Sequence, residues 1–492
     1  VRLLLDLNTP AGYRDFLAVR ALPVHRFAGR EAWFPDEYAP RLGLTPPAAG
    51  PADYTPSRPG LFDYQRDITA LAVRRRKFAV FADCGLGKTL IALEFARHAA
   101  GHLRGTRAAN VLVVAPLMVA RQWVAEAARF YGDALPLTLV SARQLPGWLA
   151  GDGSPGRVGV TNYEAIKDGL DATRLGALVL DESSLLKSHY GRWGQRLVAL
   201  GRGLGWKLCL TGTPAPNDRV EFATHAVFLD QCPTVNSFLA RYFVNRGETS
   251  NRWELKPHAL RPFYRDLSHW SIFLTRPAVY GWRDGAGELP PIRTHVLEVP
   301  LTRGQRVRAA ELTGNLYGVP GGIGGRAAVA RVAKDAAGLK PPFVAALVTG
   351  SDAPCLVWCK YNPEQAELAR LLPEAGDIHG STPQATRERL IGEFQAGARR
   401  TLISKPKVMG FGLNLQQARR MIFSTVQDSY EEYYQAVKRA NRYGSTEPLD
   451  VYLPVTDLER PMLATVLRKA DRVRRDTEAQ EHLFKEVGYD RG

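Results

Sequence analysis

The stretch FADCGLGKTL, Phe81 to Leu90, decides the reading of this chain. An apolar run leads into a glycine turn and then into Gly-Lys-Thr, an arrangement that holds a triphosphate. Gly85 and Gly87 give the backbone freedom and keep side chains out of the space where successive N–H groups meet phosphate oxygens. On this reading Cys84, Gly85, Leu86, Gly87, Lys88 and Thr89 line a bound nucleotide, with Lys88 on the β/γ-phosphates and Thr89 on magnesium. Upstream, Phe78 to Ala82 suits a buried strand, and downstream Thr89 to Ala96 continues as a helix, so strand, loop and helix come in the required order. ATP and Mg2+ are the expected substrate and cofactor.

Working outward, 492 residues with 45% hydrophobic content suffice for about three domains and several cores. Sixty-five Lys and Arg against 49 Asp and Glu leave a formal charge of +16, which favours a polyanionic partner. The sequence contains no apolar run of about 18 residues and no basic-then-apolar leader, so a cytoplasmic protein without membrane insertion is expected. The five cysteines are odd in number and scattered, which argues for reduced thiols; Cys355 and Cys359 lie in the strand-like run CLVWC and read as buried thiols rather than metal ligands.

After residue 60, short apolar runs alternate with helical patterns. They are VLVVA (111–115), RVGV (157–160), ALVL (177–180) and KLCL (207–210), then CLVW (355–358), TLIS (401–404), MIFS (421–424) and VYLP (451–454). Two series of this kind predict two α/β lobes, each a parallel sheet covered by helices. The domain expectation is an N-terminal accessory module (1–60), a first lobe (61–229), an insertion and linker (230–340), a second lobe (341–456) and a C-terminal helical extension (457–492). The insertion is marked by Leu289-Pro-Pro and by the glycine-rich GVPGGIGG at 318–325. Leu463, Val466, Leu467, Ala470 and Val473 share one helical face that would pack on the second lobe.

LVLDES places Asp181 and Glu182 directly after an apolar strand. Asp181 would hold the magnesium and Glu182 would act as general base on the attacking water. Leu210-Thr-Gly-Thr-Pro follows as a strand-ending turn. In YYQAVKRANRYG, Gln435, Arg439 and Arg442 stand at i, i+4 and i+7, so a helix would present all three on one face. Guanidinium groups turned toward a transferring phosphoryl stabilise its charge, so Arg439 and Arg442 join Glu182 and Lys88 as candidate catalytic residues.

Taken in order, LFDYQ, ADCGLGKT, VLVVAPLMVARQW, VTNYE, LVLDESS, LTGTPAPN, IHGST, GFGLNL and QAVKRANRYG resemble the motifs of superfamily 2 helicase-like ATPases, most closely the Swi/Snf-type branch, over roughly Leu61 to Gly444. Ala82, where the common phosphate loop has glycine, fits the first of these motifs. The resemblance implies tandem RecA-like lobes with ATP between them, hydrolysis stimulated by DNA, and translocation on double-stranded DNA. It further implies that Gln65 reads adenine, that Gly412 and Gln435 touch the nucleotide, and that Pro116, Thr161, Asn162, Thr211 and Thr213 lie along the nucleic acid. Ser183 and Ser184 stand where the branch has Ala-His or Gly-His, so its usual histidine contact from the acidic box is missing; Asn441 and Ser445 replace a His and a Gln. The compact length resembles bacterial or bacteriophage members.

Aromatic and basic residues interleave between Arg241 and Trp270. Most of these aromatics are expected to build a local core rather than stack on bases. The run Arg74 to Lys77 reads as a solvated helix end. A strand-separating DNA or RNA helicase stays open beside this reading, whereas the intact Lys88, Thr89, Glu182, Arg439 and Arg442 speak against a third class, a nonhydrolytic ATP-gated binding protein. The N-terminal module is a candidate site for a protein partner.

Overall fold

The computed structural model describes residues 1–486 apart from 23–24, 35, 45–53, 57–59, 118, 152–156, 188–190, 216–217, 248–252, 284–288, 301–302, 305–306, 308–333, 335–336, 410–412, 426–429, 443–444 and 457–458. The chain divides into two compact units. One is Val1–Gly285 with Asp476–Gly492, and the other is Ala286–Arg475.

The first unit opens with a small layer in which β1 (Arg2–Leu4), β2 (Arg26–Ala28) and β3 (Glu31–Trp33) form an antiparallel sheet in the order β1-β3-β2, with helix α1 (Pro10–Arg20) inserted after β1. Arg26 anchors this layer: its guanidinium lies 4.5 Å from the Trp33 ring and donates at 2.6 Å to the buried Asp266. The main sheet is parallel and seven-stranded. After α2 (Asp63–Arg75), its elements are β4 (Lys77–Ala82), α3 (Lys88–Leu103), β5 (Asn110–Ala115), α4 (Ala120–Tyr131), β6 (Leu137–Leu139), α5 (Leu145–Ala150), β7 (Val158–Asn162), β8 (Leu175–Asp181), α6 (Arg192–Leu200) and β9 (Trp206–Thr211). Then come α7 (Phe222–Phe228), α8 (Val235–Tyr242), the hairpin β10 (Phe243–Asn245) and β11 (Trp253–Leu255), α9 (Leu260–Ser268) and β12 (Ser271–Leu274). The strand order is β12-β4-β9-β8-β5-β7-β6. Every residue of β5 and β9 is buried, as unbroken apolar runs covered by helices on both faces should be.

The second unit is a six-stranded parallel sheet in the order β13-β18-β17-β14-β16-β15. Its strands are β13 (Ile292–Glu298), β14 (Cys355–Trp358), β15 (Gly376–Ile378), β16 (Thr401–Ser404), β17 (Arg420–Phe423) and β18 (Leu449–Val455). The helices Pro341–Thr349, Asn362–Leu371, Gln384–Gln395 and Tyr430–Val437 connect them. A buried ion pair, Lys340 Nζ to Glu459 Oε1 at 2.7 Å, fixes the start of the first of these helices, and Glu459 Oε2 accepts from the Thr456 N–H and hydroxyl. The fold is therefore two parallel-sheet α/β lobes of RecA-like type.

The interval 230–340 differs from its reading as insertion and linker, because it supplies an edge strand to each sheet. β12 pairs with β4, and β13 pairs with β18 along its whole length. Its aromatics also join the core of the first unit instead of forming a separate one. Phe263 makes edge-to-face contacts with Phe222, Phe238, Tyr242, Phe243 and Tyr264, so these rings are not available to stack on bases. The Arg74–Lys77 run is likewise less solvated than expected: Arg76 lies over Trp206 and Lys77 donates to Asp230 at 2.6 Å.

All five cysteines are free thiols, and Cys355 and Cys359 are buried in the second unit. The glycine-rich stretch 318–325 lies outside the described residues. The last helix, Arg460–Glu486, places Leu463 and Val466 in the core of the second unit, with Leu467 packed against it; the side chains of Ala470 and Val473 lie outside the described residues. Its final turns, from Asp476, belong to the first unit, where Glu481 accepts from the N–H and hydroxyl of Thr275 just beyond β12. Among the described residues no helix is long and apolar enough to cross a membrane.

Candidate active site

In an open parallel sheet, functional groups gather where the carboxyl ends of neighbouring strands meet. β4, β9 and β8 are consecutive neighbours, with Phe81 paired to Thr211 and Asp181 to Leu210. This register brings the loop after Ala82, the Thr-Gly-Thr turn and the acidic pair to one rim of the first sheet.

The loop is shaped around Gly87, which adopts a left-handed conformation at φ 68° and precedes the first residue of α3. The positive φ requires glycine here, and a Cβ at Gly87 would also displace the end of the Gln65 side chain, whose Nε2 lies 2.2 Å from that position. Gln65 itself is buried. Its Oε1 accepts from the Phe62 N–H at 3.1 Å and its Nε2 donates to the Leu86 carbonyl at 3.4 Å, which ties α2 to the loop. Tyr64 donates to the same carbonyl at 3.1 Å. Lys88 Nζ donates to the carbonyls of Ala82 (2.8 Å) and Asp83 (3.2 Å), so the ammonium sits in the turn. Cys84 is half-buried and its N–H donates to the Asp83 carboxylate; Thr89 is the second residue of α3, at a helix N-terminus that favours anions.

The acidic pair is held by separate sets of donors. Asp181 Oδ2 accepts from the Trp123 indole N–H at 2.8 Å, and the Asp181 carbonyl accepts from the Tyr163 hydroxyl at 2.7 Å. Burial pushes the Asp181 carboxyl up to about 6, while the Trp123 hydrogen bond and the nearby Lys88 charge pull the other way. Glu182 has a positive φ of 58°, an uncommon conformation for a residue with a side chain, and its Oε1 accepts from Thr211 Oγ1 at 2.6 Å and Ser184 Oγ at 3.1 Å. Two hydroxyls therefore aim the candidate base.

A histidine does reach the acidic box, from a place the motifs do not mark. His225 on α7 sits 3.1 Å from Ser183 Oγ through Nε2, and its ring meets Phe81 edge-on at 5.4 Å. Burial lowers its imidazole to about 4, so it is neutral. No contact with the acidic pair was expected of Trp123 or Tyr163, which lie in the motifs VLVVAPLMVARQW and VTNYE, and His225 lies outside all of the motifs. Each comes from an element outside the acidic motif, and only the sheet register brings it close.

The residues expected along nucleic acid are placed differently. Thr161 is buried and its hydroxyl donates to the Val140 carbonyl at 2.7 Å, inside the sheet. Thr211 is buried with its hydroxyl on Glu182, and the Thr213 N–H donates back to Thr211 Oγ1. These three serve the sheet and the acidic pair rather than a surface. Asn162 caps the turn Tyr163–Ala165 through its side-chain oxygen, and Pro116 is buried while its neighbour Leu117 is exposed.

In the second unit, Gln435 lies on the helix Tyr430–Val437, but that helix ends before Arg439 and Arg442, so the three do not share a helical face. The backbone tightens there: the N–H groups of Arg439 and Ala440 bond three residues back, and the Arg439 carbonyl accepts from the Leu415 N–H. Arg439 is buried, its guanidinium 5.1 Å from the Trp358 ring centroid and donating to the Pro406 carbonyl at 3.0 Å. Arg442 is half-buried and donates to the Leu413 carbonyl at 3.3 Å. Gly412 lies outside the described residues.

The donors fit magnesium. The hydroxyl of Thr89 and the carboxylate of Asp181 are hard oxygen ligands, and magnesium typically takes one or two protein groups, substrate phosphates and water. Among the described residues no three His, Cys, Asp or Glu side chains gather into a protein-only cage, so the set is one that relies on substrate oxygens.

A phosphate loop, a strand-end acid pair and a second parallel lobe bearing an arginine turn define the class of ATP-hydrolysing helicase- or translocase-type enzymes. Residues 73–307 match the SNF2-related domain and residues 341–444 the helicase conserved C-terminal domain, and the chain belongs to the Swi/Snf-type branch of the superfamily 2 helicase-like ATPases. It is 24% identical over 451 residues to the mouse DNA annealing helicase and endonuclease ZRANB3, covering 85% of this chain and 41% of that protein. Over 205 residues it is 28% identical to putative protein p41 of Acyrthosiphon pisum secondary endosymbiont phage 1, covering 39% of this chain and 44% of that one. The chain spans less than half the length of these curated relatives. Among solved structures, the Sulfolobus solfataricus SWI2/SNF2 ATPase core in complex with dsDNA aligns with a TM-score of 0.40 at 17% identity, covering 87% of this chain and 96% of that one.

Proposed function

We propose that this chain is a DNA-dependent ATPase that uses hydrolysis to translocate on double-stranded DNA. The observation that carries the ATPase reading is the meeting of Lys88, Asp181 and Thr211-held Glu182 at one rim of the first sheet. The net charge of +16 and the DNA helicase named among the relatives support DNA as the partner.

In this reading the first lobe (61–229) binds ATP, with Cys84 to Thr89 around the phosphates and Gln65 at the adenine. Lys88 exchanges its two loop carbonyls for phosphate oxygens. Glu182 takes the proton of a water that attacks the γ-phosphorus as the bridging β–γ P–O bond breaks, leaving ADP and phosphate. Magnesium, held by Thr89 and Asp181, supplies charge neutralisation on the phosphates. The second lobe (341–456) supplies Arg439 and Arg442 to the transferring phosphoryl, with Gly412 and Gln435 at the nucleotide, so Arg439 leaves Trp358 when the two lobes engage one ATP. The N-terminal module carries a protein partner, the region 230–340 gives each lobe an edge strand on the way from one to the other, and the protein works in the cytoplasm of a bacterial or phage-infected cell.

The test is ATPase activity with duplex DNA, single-stranded DNA and RNA at one salt concentration, beside a strand-displacement assay. Duplex stimulation without displacement supports the reading. Displacement would select the strand-separating helicase, whose RNA form is favoured by a 27% match over 116 residues to the Kluyveromyces lactis ATP-dependent RNA helicase FAL1.

A further inference from the structure

We infer that Trp123 is a positioning residue for the magnesium carboxylate, an inference that rests on the ATP reading of the site. The indole N–H of Trp123 meets Asp181 Oδ2 at 2.8 Å, and the side chain is buried in the first-unit core on α4, an element outside the phosphate loop and the acidic motif.

The plain alternative is a core tryptophan that happens to find an acceptor. Burial alone does not require one in this chain: the indole nitrogens of Trp148, Trp270 and Trp358 are buried with no hydrogen-bond partner, while Trp282 donates to the Asp67 carboxylate at 2.7 Å. The packing of a tryptophan here therefore does not explain the carboxylate contact, whereas the carboxylate does need a donor. Asp181 is a half-buried acid at a strand end, and its charged form is costly there without a hydrogen bond.

The kind of donor matters. Indole N–H donates and never accepts, so it cannot compete for a metal. It is also neutral. An arginine or lysine in its place would orient Asp181 but cancel the negative charge that attracts a cation, while Trp123 engages Oδ2 and leaves both the charge and Oδ1 in place. The Tyr163 hydroxyl on the Asp181 carbonyl fixes the backbone beneath the same carboxylate. With main chain and one oxygen both held, the carboxylate has little rotational freedom left to lose on meeting a metal. Partners of metal ligands in this position typically change metal affinity about 10–100-fold when removed.

The test measures equilibrium binding of a fluorescent non-hydrolysable ATP analogue, titrated with magnesium and separately in EDTA, at pH 8. Trp123→Phe keeps an aromatic ring and loses the N–H; it should raise the half-saturating magnesium concentration about 10-fold and leave metal-free nucleotide affinity within about two-fold. Trp123→His places a ring N–H four bonds from Cα, as indole does, and should restore most of the magnesium dependence. If Trp123→Phe does not fold, Trp123→Leu against Trp123→His makes the same contrast. An unshifted magnesium requirement in the N–H-less variant overturns the inference. So does an equal shift in both variants, or a parallel loss in EDTA, since each reports packing. If the parent chain binds no nucleotide with magnesium, the ATP reading itself falls, which is a different result from a parent that binds and variants that match it.

Discussion

The nucleotide rim of the first unit and the arginine turn of the second place their chemistry by different means. In the first, Lys88, Asp181, Glu182 and Thr211 stand at or just past the ends of neighbouring parallel strands, and the ladder that forms the sheet also sets their spacing. In the second, Arg439 and Arg442 lie beyond a helix that stops at Val437, and Arg439 is stowed against Trp358. A site built by strand register is assembled as soon as its sheet folds. In the turn, by contrast, the Arg439 guanidinium is engaged by Trp358 and the Pro406 carbonyl.

That contrast can be broken. Glu182→Gln should retain ATP binding and lower turnover about 10²–10⁴-fold, measured by nucleotide binding beside steady-state hydrolysis; turnover at the parental rate would remove Glu182 as the base. Arg439→Ala should lower turnover about 10³-fold and also lower the melting temperature, because Trp358 loses its cation, whereas Arg442→Ala should lower turnover with little change in melting. Equal melting for the two variants would mean that Arg439 is not stowed.

Stability sharpens the comparison further. In the second unit, Glu459→Gln leaves Lys340 buried without its counter-charge and should cost about 3–5 kcal/mol in urea unfolding. In the first unit, His225 and His269 are both held by burial to about 4 against an ordinary value of 6.5. Below pH 6.5 the unfolded chain takes up protons that the folded imidazoles refuse, so their contribution is intact above 6.5 and is lost as pH falls toward 4. The loss is up to about 3 kcal/mol per histidine. His25 and His98 are lowered by burial as well, so His225→Gln should make this slope shallower in urea titrations at pH 7, 6 and 5 without abolishing it, and a slope that stays the same would place the titration elsewhere.

What the sequence made legible follows the same division. The eight apolar runs all became strands of the two sheets, because a strand buried on both faces is an unbroken apolar run. The phosphate loop and acidic pair were legible because they sit directly on such runs. β13 was not: it is an edge strand with alternating polar residues and an exposed surface, so its sequence lacks the buried-run signal. β12 is only four residues long and lay among aromatics that read as irregular. The i, i+4, i+7 spacing of Gln435, Arg439 and Arg442 describes a helix that the chain ends early, after Val437, once the Arg439 carbonyl is taken by Leu415. Trp123 stands in a quoted motif and His225 in none, but nothing local marks their contacts with Asp181 and Ser183, which span 58 and 42 residues.

The clasp of Glu481 on Thr275 has a consequence for how the protein is made. Thr275 follows directly on the edge strand whose Leu274 carbonyl accepts from the Asp83 N–H, at the opening of the phosphate loop, and its partner lies 206 residues later. At about 5–20 residues per second the ribosome delivers Glu481 roughly 10–40 s after Thr275. During that interval the nascent first sheet holds its border strand by pairing with β4 alone, and the loop gains its final support only once Glu481 has emerged.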